Sequence, residues 1–145
     1  MTERIRIVVA DDHPSFRESL IHLLSLDEEI EVVGEAADGA EAHRLTLDLK
    51  PDVVVLDLKM PEMDGAEATR RIKAAASEVQ VIVFSVFSQA DHIRRCLEAG
   101  ADRYLTKGIS REELLAAVKA VAVRRTRSAS GRPETASEVS EAGTW

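Results

Sequence analysis

Val53-Val54-Val55-Leu56-Asp57-Leu58 is the stretch on which the reading of this chain turns. Four aliphatic residues, three of them β-branched, stand in a row with no polar residue between them. A strand with one wet face would alternate polar and apolar side chains; a strand covered on both faces need not. Such a strand belongs to a parallel sheet with helices above and below it, and this one gives way to a carboxylate.

Two further runs of the same kind flank it. Ile5 to Ala10 (IRIVVA), interrupted only by Arg6, and Val81 to Phe84 (VIVF) are also near-continuous and rich in β-branched residues. Glu31 to Ala36 is a weaker strand and Arg103 to Leu105 a very short one. Helical patterns separate them. Pro14 suits the first turn of a helix, and Phe16, Leu20, Leu23 and Leu24 then recur on one face. Asp38-Gly39-Ala40-Glu41 resembles a capping box that opens a second helix with Ala42, Leu45 and Leu49 inward. A third runs from about Ala66 to Ala75. The fourth carries Ile93 and Leu97 and ends at Gly100, and Ser110-Arg111-Glu112-Glu113 caps a fifth with the stripe Leu114, Val118 and Val121. Five strand–helix units make an α/β domain, and right-handed crossovers leave few topologies. The expected fold is flavodoxin-like, a doubly wound five-stranded parallel sheet in the order 2-1-3-4-5 with five helices.

The chain has 145 residues, which suits one domain over residues 1–123. Apolar residues make up 45% and charged residues 31%, a globular balance, and with aromatics at 3% the core must be aliphatic. The net charge of -7 disfavours direct nucleic-acid binding, because phosphates repel an acidic surface. A single cysteine, Cys96, allows no internal disulfide and reads as a packed thiol. No apolar run approaches the length of a membrane span and no signal peptide is legible, so a cytoplasmic protein is expected. From Arg124 onward the composition turns to Arg, Ser, Glu and Gly, and residues 124–145 are expected to form a disordered tail.

In doubly wound folds ligands bind at the carboxyl ends of the strands. Asp11 and Asp12 follow the first strand, Asp57 the third, Ser85 the fourth and Lys107 the fifth. Each alone has a plainer reading: acidic pairs and serines after strands are often caps or turns, and a lysine before glycine usually faces solvent. Their coincidence at one edge decides between the readings, because the fold brings those ends together. Converging carboxylates repel unless a cation lies between them, and their oxygens suit a hard ion such as Mg²⁺. Lys107 adds a compact positive charge for a phosphoryl oxygen and Ser85 a hydroxyl. Aspartate is a competent nucleophile for phosphoryl transfer, which needs mainly positioning and charge neutralisation.

The set resembles the receiver domain of two-component response regulators, from about Ile5 to Val123. The resemblance rests on Asp11-Asp12, on Asp57-Leu58-Lys59-Met60-Pro61-Glu62-Met63-Asp64-Gly65, on Phe84-Ser85, and on Gly100 to Lys107. It implies that Asp57 accepts a phosphoryl group from a sensor histidine kinase or a phosphotransfer protein. It implies that Asp11, Asp12, Asp57 and the backbone carbonyl of Lys59 hold Mg²⁺, with Mn²⁺ possible in its place. Ser85 and Lys107 would bind the phosphoryl group, and Tyr104 would swing inward when the switch is on. Lys59 and Phe87, two residues after Asp57 and Ser85, would crowd the water that hydrolyses the aspartyl phosphate. The fourth helix, fifth strand and fifth helix would form the surface for a homodimer or a downstream protein.

The opening Asp11-Asp12-His13-Pro14-Ser15-Phe16-Arg17 and the ending Tyr104-Leu105-Thr106-Lys107-Gly108 look most like receivers joined to LuxR-type DNA-binding domains, of the nitrate-response kind. Either the chain is a free-standing receiver or it is a piece of a longer regulator, and the first is expected. Many receivers carry proline where Gly108 stands, so no cis proline is expected there. His13 is read as the start of the first helix and not as a ligand, because carboxylates suit Mg²⁺ better than imidazole does. Two other readings stay open: a metal-dependent phosphatase with an Asp nucleophile, and a cofactor-binding domain of flavodoxin type. The first would place an acid two residues after its nucleophile, where Lys59 stands. The second would need a Gly-, Ser- or Thr-rich phosphate loop after the first strand.

Overall fold

The computed structural model describes residues 3–129, with side chains through Val123. Strands and helices alternate as β1 (Ile5–Ala10), α1 (Pro14–Ser25), β2 (Ile30–Ala36), α2 (Gly39–Leu49), β3 (Val53–Leu56), α3 (Gly65–Ala75), β4 (Gln80–Ser85), α4 (Ala90–Glu98), β5 (Arg103–Thr106) and α5 (Arg111–Ala129). The sheet is parallel throughout, in the order β2-β1-β3-β4-β5.

The central strands lack alternation because successive residues feed two separate cores. Val8, Ala10, Val54, Leu56, Val81 and Val83 face α2, α3 and α4 and meet Ala42, Ile72 and Cys96. Ile7, Val9, Val53, Val55, Ile82 and Phe84 point the other way, toward α1 and α5, and meet Leu20, Leu24, Leu114 and Val118. Each fully buried aliphatic side chain contributes about 1.5–3 kcal/mol. β2, at the sheet edge, is buried only at its ends, Ile30 and Ala36, with Glu31 and Glu35 exposed and the residues between them half-buried.

The helix ends follow their local chemistry. Asp38 Oδ1 accepts the Glu41 N–H at 2.8 Å, while Glu41 reaches back to the Ala37 N–H at 3.0 Å. Ser110 and Glu113 form the full reciprocal box, both bonds at 3.1 Å. Gly100 follows the C-cap of α4 with φ +114, a conformation that disfavours any side chain. Lys119 of α5 reaches Asp27 at 2.9 Å, tying α5 to the turn after α1. The helix continues to Ala129, beyond the expected domain end at Val123, because Arg124 to Arg127 are good helix formers or tolerated ones. The rest of the expected disordered tail, from residue 130, lies outside the described residues.

Candidate functional site

The ladder of the sheet runs one residue past its strands and so sets the bases of the key side chains. Asp11 N–H donates to the Ala36 carbonyl at 3.0 Å, Asp57 N–H to Ala10 at 3.0 Å, and Lys107 N–H to Ser85 at 2.9 Å. Three polar side chains from three strand ends are thereby aimed at one point. The Lys107 ammonium sits 2.8 Å from Asp11 Oδ2 and 3.1 Å from Asp57 Oδ2. All three side chains are nearly covered, at 11%, 3% and 6% exposure, so water screens the cluster weakly.

The remaining carboxylate oxygens are used locally. Asp57 Oδ1 accepts the Leu58 N–H at 2.7 Å, and Asp11 Oδ1 accepts the His13 N–H at 2.9 Å. Burial pushes the Asp57 carboxyl above its ordinary range; the Lys107 ammonium pulls it back down, and Asp11 pushes it up again. Asp12 Oδ1 is shielded from solvent yet accepts no hydrogen bond; His13 Nδ1 lies 3.2 Å away without hydrogen-bond alignment. An unpartnered carboxylate oxygen beside two further carboxylates fits a bound cation. Ligand atoms of Asp11, Asp12, His13 and Asp57 all lie within 4.8 Å of one another. The set is oxygen-rich, as a hard divalent ion requires.

His13 does open the first helix, as its N-cap residue, but its ring has a second placement that the sequence reading set aside. Nδ1 stands 3.2 Å from both Asp11 Oδ1 and Asp12 Oδ1, at the exposed rim of the cluster.

Ser85 is buried at the end of β4, and its Oγ accepts the Phe87 N–H at 3.1 Å. Tyr104 is also buried, with its hydroxyl donating to the Phe87 carbonyl at 2.5 Å. Burial raises the Tyr104 phenol, and the neighbouring Ser85 hydroxyl lowers it. The backbone of Phe87 therefore joins Ser85 on one side to Tyr104 on the other. The Phe87 ring packs against His92 of α4 at 5.3 Å between centroids, and Lys59 Nζ lies 5.6 Å from the same ring. Lys59 and Phe87 thus meet each other beside the site, while the Lys59 side chain stays exposed.

Three contributors escaped the sequence reading. Arg17 NH1 donates to the Asp11 carbonyl at 2.6 Å and Nε to Glu35 at 2.8 Å, bracing the loop after β1. The Phe16 ring, expected only as part of a helix stripe, lies 4.0 Å from Lys107 Nζ. Gly65, named above only as the end of the Asp57 motif, closes the loop after Asp57. A Cβ there would fall 2.2 Å from the Asp57 carbonyl oxygen, so only glycine admits that approach. Arg17 could have been suspected from its place one turn after Asp11-Asp12-His13; the other two contacts have no local signature. Cys96 is fully buried on α4, and burial pushes its thiol up to about 12, which makes it inert.

A doubly wound sheet whose carboxyl edge gathers acidic residues around one lysine defines a class of phosphorylation-dependent switches. The chain belongs to that class by descent as well as by shape: the family model for the response regulator receiver domain matches residues 7–119. The chain is 41% identical over 116 residues to the transcriptional regulatory protein LiaR of Bacillus subtilis, covering 80% of this chain and 55% of that protein. It is 38% identical over 119 residues to the transcriptional regulatory protein DegU of Brevibacillus brevis, covering 82% and 50%. The chain spans about half the length of the curated relatives it matches. Among solved structures, the signal receiver domain of the putative response regulator NarL from Mycobacterium tuberculosis superimposes with a TM-score of 0.78 at 38% identity, covering 90% of this chain and 99% of that one. A LuxR-family two-component response regulator from Aurantimonas gives 0.80 at 32% identity, covering 98% and 96%. Receivers of this family are signalling switches of two-component systems, and the phosphatase reading is not favoured.

Proposed function

We propose that this receiver accepts a phosphoryl group on Asp57 from a sensor histidine kinase or phosphotransfer protein. The observation that supports it most is the buried Asp57 carboxylate beside Asp11 with the Lys107 ammonium between them. In the transfer, the phosphorus–donor bond breaks as an Asp57 carboxylate oxygen bonds to phosphorus, and the donor leaves with its electron pair. Asp11, Asp12, Asp57 and the Lys59 carbonyl would hold Mg²⁺, or Mn²⁺ in its place. When bound, that ion supplies charge neutralisation for the phosphoryl oxygens. Lys107 is positioned to pass an N–H from the Asp57 oxygen to a phosphoryl oxygen without leaving Asp11.

Switching would run through Phe87. When Ser85 turns its hydroxyl toward the phosphoryl group, its Oγ gives up the Phe87 N–H, and the same residue's carbonyl holds Tyr104. A modification shifts two conformations only through contacts that differ between them, and the Ser85–Phe87 bond would be such a contact. Tyr104 already lies inward here, so the Ser85–Phe87 bond is the contact left to change. The altered surface would be α4, β5 and α5, offered to a second copy or a downstream protein. Lys59 and Phe87, paired beside the site, would hinder the hydrolytic water; Lys59→Asn with Phe87→Ala should then speed loss of the phosphoryl group. An unchanged hydrolysis rate would discard that role.

A second reading, favoured by relatives named as transcriptional regulatory proteins, by the LuxR-family structure from Aurantimonas and by the half-length coverage, is that this is the receiver portion of a transcriptional regulator. Direct nucleic-acid contact is not assigned to the described residues, whose chain carries a charge of -7. Among them no helix is long and apolar enough to cross a membrane, and a cytoplasmic setting would suit a kinase partner.

The test is intact-mass measurement after incubation with acetyl phosphate, with and without Mg²⁺, on wild type and Asp57→Ala. One metal-dependent, base-labile phosphoryl adduct, absent from the variant, is expected. No adduct on wild type would remove the roles given to Asp11, Asp12, Asp57, Ser85 and Lys107.

A further inference from the structure

We propose that Phe16 is a positioning residue for Lys107, its ring being the shelf that keeps the ammonium at the mouth of the Asp57 site. A lysine stem has four rotatable bonds, and two hydrogen bonds to carboxylates do not by themselves define one geometry. In this protein the third neighbour of the ammonium is the face of Phe16, with Nζ 4.0 Å from the ring centroid. An ammonium over an aromatic face is attracted to the ring's negative quadrupole, most strongly where water is excluded. The Lys107 side chain is only 11% exposed, so the condition is met.

The shelf is itself braced. Phe16 packs against Phe84 of β4 at 5.9 Å between centroids, tilted by 46°. Phe84 immediately precedes Ser85, so the brace springs from the same strand end that carries the hydroxyl. Next to the stem of Lys107 lies a cavity of about 150 Å³, bordered by Phe16, Leu20, Phe84, Ile109 and Leu114. Lys107 itself lines that cavity. A smaller, non-aromatic side chain at position 16 would remove the attraction and widen the space into which the ammonium can swing. The proposal rests on the Asp57 reading for its consequence in phosphoryl transfer, but the placement of Lys107 does not.

Both parts have their own readout. In metal-free protein, the Lys107 Hε resonances, assigned by their loss in Lys107→Gln, should be shifted upfield by the ring current. Phe16→Leu should return them to ordinary lysine positions, and Phe16→Tyr should keep them shifted. Lys107 resonances at ordinary positions in the wild type would overturn the proposal, whatever the protein does with phosphate. In the acetyl phosphate assay at saturating Mg²⁺, Phe16→Leu should slow adduct formation about five-fold, and Phe16→Tyr should restore it. In a Lys107→Gln background, Phe16→Leu should cause no further loss. An equal loss in both backgrounds would make Phe16 a general packing residue and also overturn the proposal. Phe16→Met, closer in length, replaces the leucine variant if melting shows that variant unfolded. A wild type that shows the upfield shift but takes no phosphoryl group would refute the Asp57 reading and leave the shelf standing.

Discussion

At the amino edge of the sheet, Asp52 and Asp102 stand with Arg6 and Lys73; at the carboxyl edge, Asp11 and Asp57 stand with Lys107. The residue types are the same and the accounting differs. Asp52 Oδ2 accepts the Arg6 N–H at 2.9 Å, and Asp102 Oδ2 accepts the Val81 N–H at 2.8 Å. Each closes a backbone donor at the start of a strand. Arg6 NH1 reaches the Leu49 and Lys50 carbonyls at 2.9 Å each, and Lys73 Nζ reaches the Val79 carbonyl at 2.8 Å and Asp102 at 3.0 Å. The polar groups of that edge are spent on holding strand and helix ends together. At the carboxyl edge, the Lys107 ammonium meets two carboxylates, Asp11 and Asp57, and beside them Asp12 Oδ1 has no hydrogen-bond donor. A cluster with surplus negative charge is built to receive something positive, and a balanced one is built to stay shut.

The largest difference should appear on removing the two lysines. Lys107→Ala leaves Asp11 and Asp57 buried without their shared ammonium and should cost about 3 kcal/mol in metal-free protein. Added Mg²⁺ should restore much of that loss. Lys73→Ala should also destabilise, by about 1–3 kcal/mol through its lost bonds, but with no recovery on adding Mg²⁺. Thermal melts with and without the ion check both; recovery in both variants, or in neither, would break the comparison.

Asp102→Ala comes next. It strands the Val81 N–H and should cost about 2 kcal/mol. Its folded fraction should take up phosphoryl groups at the wild-type rate, because the amino edge lies at the far end of the strands. A marked fall in that rate would mean that the two edges are coupled through the sheet.

The smallest effect is a pH dependence at Asp57. Burial raises its folded carboxyl above the ordinary 3.8, so ionising Asp57 weakens the folded state. That penalty is absent well below 3.8, where both states are protonated, and is fully present above the raised folded value. Asp57→Asn should therefore melt higher than wild type near neutral pH in metal-free protein, with the gain shrinking as pH falls toward 3.8. Asp27 has the opposite sign. Its bond to Lys119 lowers its carboxyl, so its contribution is present above the ordinary value and fades as the solution becomes more acidic. A melting difference for Asp57→Asn that grows on acidification would contradict the assignment of burial as the dominant cause.

Much of this molecule was legible in advance, because the relevant forces act over short stretches. A run such as Val53 to Leu56, apolar at every position, announces burial on both faces from its own composition, and Ser110 with Glu113 closes its own box. Right-handed crossovers narrowed the topologies to a few, of which the expected order 2-1-3-4-5 is the one found, and any parallel order of these strands sets Asp11, Asp57, Ser85 and Lys107 at one edge. Other features required the tertiary structure, because their causes lie far apart along the chain. Lys107 and Asp11 are 96 residues apart, and nothing local to either shows that Phe16 lies against the same ammonium. The inward Tyr104, tied to the Phe87 carbonyl, depends on how a loop and a strand seat against each other. Periodicity and charge thus determined which residues would gather, and close packing between distant segments decided which partner each one took.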